Sequence, residues 1–307
     1  MDTNRRSFDL LYSRLEPVLI ELEQYRKNLK AEGSKNGLIG GCIVLIAGLF
    51  FIGQIKELYI FFVFLAIGIW LFCINSKSSE VSYFYKNNII RKMVSALCHN
   101  AEYKPERGIS ESLFSGSGLF PAPDRYSSED MISGKIDKTD FMCSEALAEE
   151  RHVSYDSKGR RREYWSTLFN GFLFIADFHK NFSGRTIVVN DSFFKFGFGM
   201  KRVKLENPEF ESRFDIYSTD GIEARYILTP SMMERLIVLD KKFHQKIQLS
   251  YVGSSVFIAI PDSKNHFEAS IWHPLTKNDV EAEFSIMCAL LDIVNDMNLN
   301  TRIWTKE

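Results

Sequence analysis

The sequence predicts an α+β protein: a two-helix transmembrane hairpin followed by a cytoplasmic domain of antiparallel sheet with packed helices. Two observations lead there. The runs Gly37 to Gly53 and Leu58 to Ile74 contain no charged residue and are separated only by Gln54, Ile55, Lys56 and Glu57. From Thr139 onward, short β-patterned segments bounded by turn residues alternate with two helical stretches.

Each apolar run would extend roughly 25 Å as a helix, the short end of what crosses a hydrocarbon core of about 30 Å. The first is rich in small residues, Gly37, Gly40, Gly41, Ala47, Gly48 and Gly53, which permit close helix packing. The second carries Tyr59, Phe61, Phe62, Phe64, Trp70 and Phe72 and has no polar face to turn toward water. A buried helical hairpin in a soluble core is the competing reading; two adjacent charge-free runs of this length weigh against it. A cleaved leader is not expected, because a polar, highly charged stretch precedes the first run. Lys27, Lys30 and Lys35 lie before the first run and Lys77, Lys86, Arg91 and Lys92 after the second, against Lys56 alone in the turn. The expectation is two spans with both termini cytoplasmic.

The chain divides into an amino-terminal amphipathic helix (1–36), the hairpin (37–75), a juxtamembrane helix and linker (76–138) and the α+β domain (139–307). Phe8, Leu11, Leu15, Val18, Leu22, Tyr25 and Leu29 repeat at spacings of three and four, an apolar helical seam. It suits a coiled-coil arm or a kinked helix packed on the chain itself, since Pro17 removes a backbone donor. Val81 to Leu97 reads as a helix leaving the membrane, and Glu106 to Lys138 as a connector with little regular structure.

Ser144 to Tyr155 with Arg162 to Phe169, Gly171 to Phe178 with Arg185 to Val189, and Gln248 to Val252 with Val256 to Ile260 read as hairpins, with His266 to Trp272 a further strand. One helix starts at Thr229 and Pro230, a cap followed by proline in the first turn. The other starts near Thr276, with Asp279 three residues on.

Two stretches, Phe169-Asn-Gly-Phe-Leu-Phe-Ile-Ala-Asp-Phe-His-Lys-Asn-Phe-Ser-Gly-Arg-Thr-Ile-Val188 and Lys204-Leu-Glu-Asn-Pro-Glu-Phe-Glu-Ser-Arg-Phe-Asp-Ile-Tyr-Ser-Thr-Asp-Gly-Ile-Glu-Ala-Arg-Tyr-Ile-Leu-Thr-Pro230, resemble domain of unknown function family 3137. The resemblance implies a bacterial inner-membrane protein with an amino-terminal helical segment, a pair of spans and a cytoplasmic domain. It carries over no catalytic residue.

Lysine plus arginine number 38 against 39 acidic residues, so no global basic field recommends nucleic acid as a partner. Cys42, Cys73, Cys98, Cys143 and Cys288 show neither paired nor metal-like spacing, and no disulfide, metal or cofactor is expected. Lys158, Arg160, Arg161 and Arg162 at a hairpin tip could meet anionic lipid or phosphate; a solvated tip explains them as well. Phe194, Lys195, Phe196, Phe198, Lys201 and Arg202 could dip aromatics into the lipid interface, or form an edge strand or a flap closing the domain core. Asp177 and His179, two apart on one strand face, are the only suggestion of an acid/base pair, against a strand end whose polar groups bond to a turn. The expected function is a membrane-anchored, non-enzymatic module that contacts the lipid bilayer and a protein partner or a second copy. The alternative is a membrane-bound enzyme, for instance a hydrolase, whose site the sequence does not reveal.

Overall fold

The computed structural model describes residues 2–49, 56–155, 157, 159–178, 180–190 and 199–300. In chain order the elements are helices α1 (Asp2–Leu49), α2 (Lys56–Asn75) and α3 (Ser78–Tyr85), a π-helical turn (Lys86–Ile90), α4 (Arg91–Leu97), strand β1 (Ala101–Lys104), α5 (Glu111–Gly116), β2 (Arg125–Ile136), β3 (Thr139–Tyr155), β4 (Arg161–Asp177), β5 (Arg185–Val189), β6 (Lys201–Arg202), α6 (Pro208–Glu211), β7 (Asp215–Ser218), α7 (Gly221–Ile227), α8 (Pro230–Phe243), β8 (Gln248–Val252), β9 (Ser255–Pro261) and α9 (Lys277–Asp296). They fall into two compact units, 1–96 with 267–284, and 97–266 with 285–307.

In the first unit, α1 is one continuous helix that contains Pro17, so the proline does not end it. One buried stripe follows its length. Phe8, Leu11, Leu15, Leu22 and Leu29 are buried, and the stripe then changes to Gly33, Gly37, Gly41 and Gly48. The glycines face α2. A Cβ at Gly33 would lie 2.7 Å from the Cys73 carbonyl oxygen, one at Gly37 2.7 Å from the Trp70 Cα, one at Gly41 3.5 Å from the Ala66 Cβ and one at Gly48 2.8 Å from the Phe62 ring. Partners descend along α2 as positions ascend along α1, so the pair is antiparallel and in backbone contact, as stripes of small residues allow. Trp70 donates to the Ser34 hydroxyl at 3.0 Å across the same contact.

Large apolar side chains point away from this pair. Ile43, Phe64 and Phe72 are 63%, 69% and 73% exposed. Among the described residues, one helical run, Tyr59–Leu97, holds a stretch long and apolar enough to cross a membrane. The apolar run of α1 is described only to Leu49, and the two-span hairpin expected from the sequence is therefore not established by the helices described.

Segment 267–284 is secured to the helices of its own unit. The Arg26 guanidinium, paired with Glu23 at 2.7 Å, donates to the Ile271 carbonyl at 2.7 Å. Lys86, buried in the π-helical turn, pairs with Glu268 at 2.6 Å, and Phe8 meets Phe284 with ring centroids 5.3 Å apart. The Thr276 hydroxyl and Asp279 carboxylate close the start of α9 reciprocally, which holds the Asp279 carboxyl below its ordinary range.

The second unit is built on a nine-stranded antiparallel sheet in the order β1-β2-β3-β4-β9-β8-β5-β7-β6. An α+β class with a large antiparallel sheet is thus what the chain adopts. The segment expected to be a connector contributes Ile109, Phe114, Leu119 and Phe120, which cover Ala146, Ala148, Phe169, Leu173 and Phe257. It also supplies β2, a long strand opposite β3. The two hairpin arms expected at 162–169 and 171–178 are one strand, because Gly171, with φ near +146°, continues the ladder from β3 to β9. His266 to Trp272 forms no strand. Helix α8 starts as expected, with Thr229 accepting from the Met232 amide. Lys242 pairs with Asp296 at 2.7 Å and joins α8 to the last turns of α9.

Substituting Gly37 by alanine forces α1 and α2 apart at Trp70 and should cost the full-length chain about 1–3 kcal/mol. Gly68 is the control, since nothing lies within 4 Å of the place its Cβ would take; its alanine variant should be neutral or gain about 0.5–1 kcal/mol. Unfolding midpoints in mild detergent check this, and equal midpoints for the two variants would remove the close-contact account.

Candidate functional site

The sheet of the second unit carries a cleft of about 440 Å³ lined by β2, β3, β4 and the loop after β9. Two local irregularities shape it. The β2–β3 register slips between Glu129 and Ile132, and Asp130, in the slip, takes the left-handed conformation at φ 58°, which aspartate tolerates better than most side chains. The Asp130 amide donates to the Pro105 carbonyl at 3.0 Å. Its carboxylate, buried, accepts from the Tyr103 hydroxyl. The second irregularity is Gly171, where any Cβ would strike the Ile260 carbonyl and the Asp262 amide. Its absence lets the chain after β9 fold back, with the Asp262 amide donating to the Asn170 carbonyl at 2.9 Å.

That fold-back places His266 at Glu145. The His266 backbone amide donates to the Glu145 carboxyl at 2.9 Å. The His266 ring lies 3.0 Å from the Asp262 carboxylate and tilts against Phe172 with centroids 5.2 Å apart. Glu145 is opposite Glu129 in the strand register, so the two carboxyls share one face. Burial, chiefly, and then the charge of Asp130 push the Glu145 carboxyl up to about 8, with His266 acting in the opposite sense. Lys264, Asn170, Ser127 and Ser128 add polar groups to the lining.

At neutral pH Glu145 therefore holds its proton and can donate a hydrogen bond. A protonated carboxyl beside a second carboxyl in a polar cleft has the composition of an acid/base site. Sequence reasoning missed it. The available signal was Glu145 falling in step with Phe141 and Cys143, the buried face of β3, where an unpaired acid is unexpected.

Of the residues singled out from the sequence, Asp177 ends β4 opposite Ser255 and does not line the cleft. His179 lies outside the described residues, as do Lys158, Phe194, Lys195, Phe196 and Phe198. Arg161 and Arg162 begin β4, next to Arg160, at the tip of the β3–β4 hairpin. Lys201 and Arg202 form β6, the terminal strand of the sheet, where Arg202 pairs with Asp215.

Linkage gives the Glu145 reading a direct check. The native carboxyl keeps its proton where an unfolded chain has released it, so protonation favours the native state. This contribution is complete below the ordinary value of 4.5 and is lost as pH rises through about 8. In mild detergent, the wild-type unfolding midpoint should fall relative to Glu145→Gln as pH rises from 5 to 9; parallel curves would contradict the assignment.

No curated protein matches the chain. Among solved structures, the crystal structure of the mycobacterial trehalose monomycolate transport factor A, TtfA, is similar at 10% identity and a TM-score of 0.35, covering 67% of this chain and 95% of that one. A likeness at that score carries no argument. The family model described as "Protein of unknown function (DUF3137)" matches residues 167–299, from within β4 through α9, and this part of the chain is of the DUF3137 type.

Proposed function

We propose that the chain is a membrane-anchored interaction module of the bacterial inner membrane, with two spans and both termini cytoplasmic. The observation that carries this reading is the α1–α2 pair. Gly33, Gly37, Gly41 and Gly48 of α1 are committed to the contact with α2 while Ile43, Phe64 and Phe72 face outward, an arrangement that suits hydrocarbon and is costly in water. Partners of the module are the bilayer and either another protein or a second copy; no observation recommends nucleic acid. The lysines and arginines flanking the two apolar runs support the orientation.

A second reading, a membrane-bound hydrolytic enzyme, is favoured by one observation. Glu145, protonated at neutral pH beside Glu129, has the pairing that general acid/base chemistry uses. The pair Asp177 and His179 is a weaker choice for that role.

Native mass spectrometry of the full-length protein in mild detergent separates the two. A stoichiometric protein partner or a defined homo-oligomer is the expected result. A retained small molecule with monomeric protein would contradict the module and favour the enzyme. Alkaline carbonate should leave the chain in the membrane pellet, and its release to the supernatant would overturn the anchor.

A further inference from the structure

The β3–β4 hairpin runs beyond the sheet that carries it. Strand β2 pairs with β3 only as far as Glu149, and β9 pairs with β4 only from Gly171. Among the described residues, His152 to Tyr155 and Arg161 to Tyr164 pair only with each other. At about 3.3 Å per residue, the ribbon from Glu150 to Tyr155 extends roughly 20 Å.

A bare two-stranded ribbon is marginal in water, and this one is braced at its base. Arg125 stacks over Trp165 at 4.0 Å, and the Arg151 amide donates to Asp124 at 2.8 Å. His152 stacks on Tyr164 with centroids 4.9 Å apart and meets Ser166 at 2.7 Å. The bracing holds out a tip with aromatic and cationic side chains on both faces, since the register puts Tyr155 with Arg161 on one face and Tyr164 with Arg162 on the other. Tyr155 and Tyr164 are 69% and 55% exposed. Arg160, Arg161 and Arg162 are exposed beside them, with Glu163 paired to Arg161.

We propose that this ribbon tip docks on the anionic phospholipid surface of the bilayer, Tyr155 seated at headgroup level and the arginines on lipid phosphates. Charge complementarity selects that occupant. Three consecutive arginines suit a sheet of phosphates and oppose a second copy of the same tip, while tyrosine is a side chain that membrane interfaces favour. The inference rests on the membrane-anchor reading, because a tethered domain meets the bilayer at high effective concentration.

The test is a photo-crosslinking amino acid at Tyr155 of the full-length chain, reconstituted in nanodiscs of phosphatidylethanolamine with phosphatidylglycerol, or of phosphatidylcholine alone. The same probe at Ile222, 82% exposed on α7, is the reference for incidental contact. The expected result is a lipid adduct at Tyr155 in the anionic discs, at least about fivefold above the Ile222 reference and above the phosphatidylcholine discs. Replacing Arg160, Arg161 and Arg162 by serine should abolish the excess while leaving the Ile222 signal unchanged. An adduct at reference level, one equal in both disc types, or one formed only with protein would overturn the docking and leave the anchor standing. A chain that fails to enter the discs would overturn both.

Discussion

Backbone contact between α1 and α2 is the constraint from which the organisation of the first unit follows. Gly33, Gly37 and Gly41 repeat every four residues and so lie on one helix face, where each accepts the backbone or the side chain of a residue on α2. With these glycines committed to the contact, Ile43, Phe64 and Phe72 are left on the outside of the pair. The same stripe of α1, earlier in the chain, carries Phe8, Leu11, Leu15, Leu22 and Leu29 instead. One helix thus serves two kinds of packing, side chains in one half and bare backbone in the other.

The second unit depends on a different economy. Its sheet is wholly antiparallel, so its irregularities are local: a register slip at Asp130 and a folded-back loop at Gly171. These two features bring Asp130 and His266 to Glu145 from different parts of the chain. The carboxyl so enclosed is pushed up to about 8, chiefly by burial and then by the neighbouring negative charge. Tyr103 and Asp130 satisfy each other inside the same region, so the cleft is held by bonded polar groups.

Much of this is legible in residue order. The spacing from Phe8 to Leu29 announces the stripe of α1, and Thr229 with Pro230 announces α8, because caps and periodicity are local. Gly171 misleads, since a glycine at this place reads locally as a break between two strands, whereas here it admits the close approach of the chain after β9. Residues 106–138, full of turn formers, read as connector, whereas β2 is held there by its long pairing with β3. The cleft is not legible at all. Glu145, Asp130 and His266 are distant in sequence, and only the register of β2 on β3 and the fold-back after β9 join them. Conversely, the arginines at the hairpin tip are visible as a cluster, but residue order does not show that their ribbon stands clear of the sheet.

The proposed anchor places the outward face of the α1–α2 pair in hydrocarbon. Spin labels at Leu38, Phe64 and Phe72, on a chain with its native cysteines replaced and reconstituted in bilayers, test it through collision with oxygen and with a water-soluble nickel chelate. Oxygen partitions into hydrocarbon and the chelate stays in water, so lipid, protein interior and water give three different signatures. High oxygen and low chelate accessibility are expected at all three positions. High chelate accessibility, or low accessibility to both reagents, would contradict the claim.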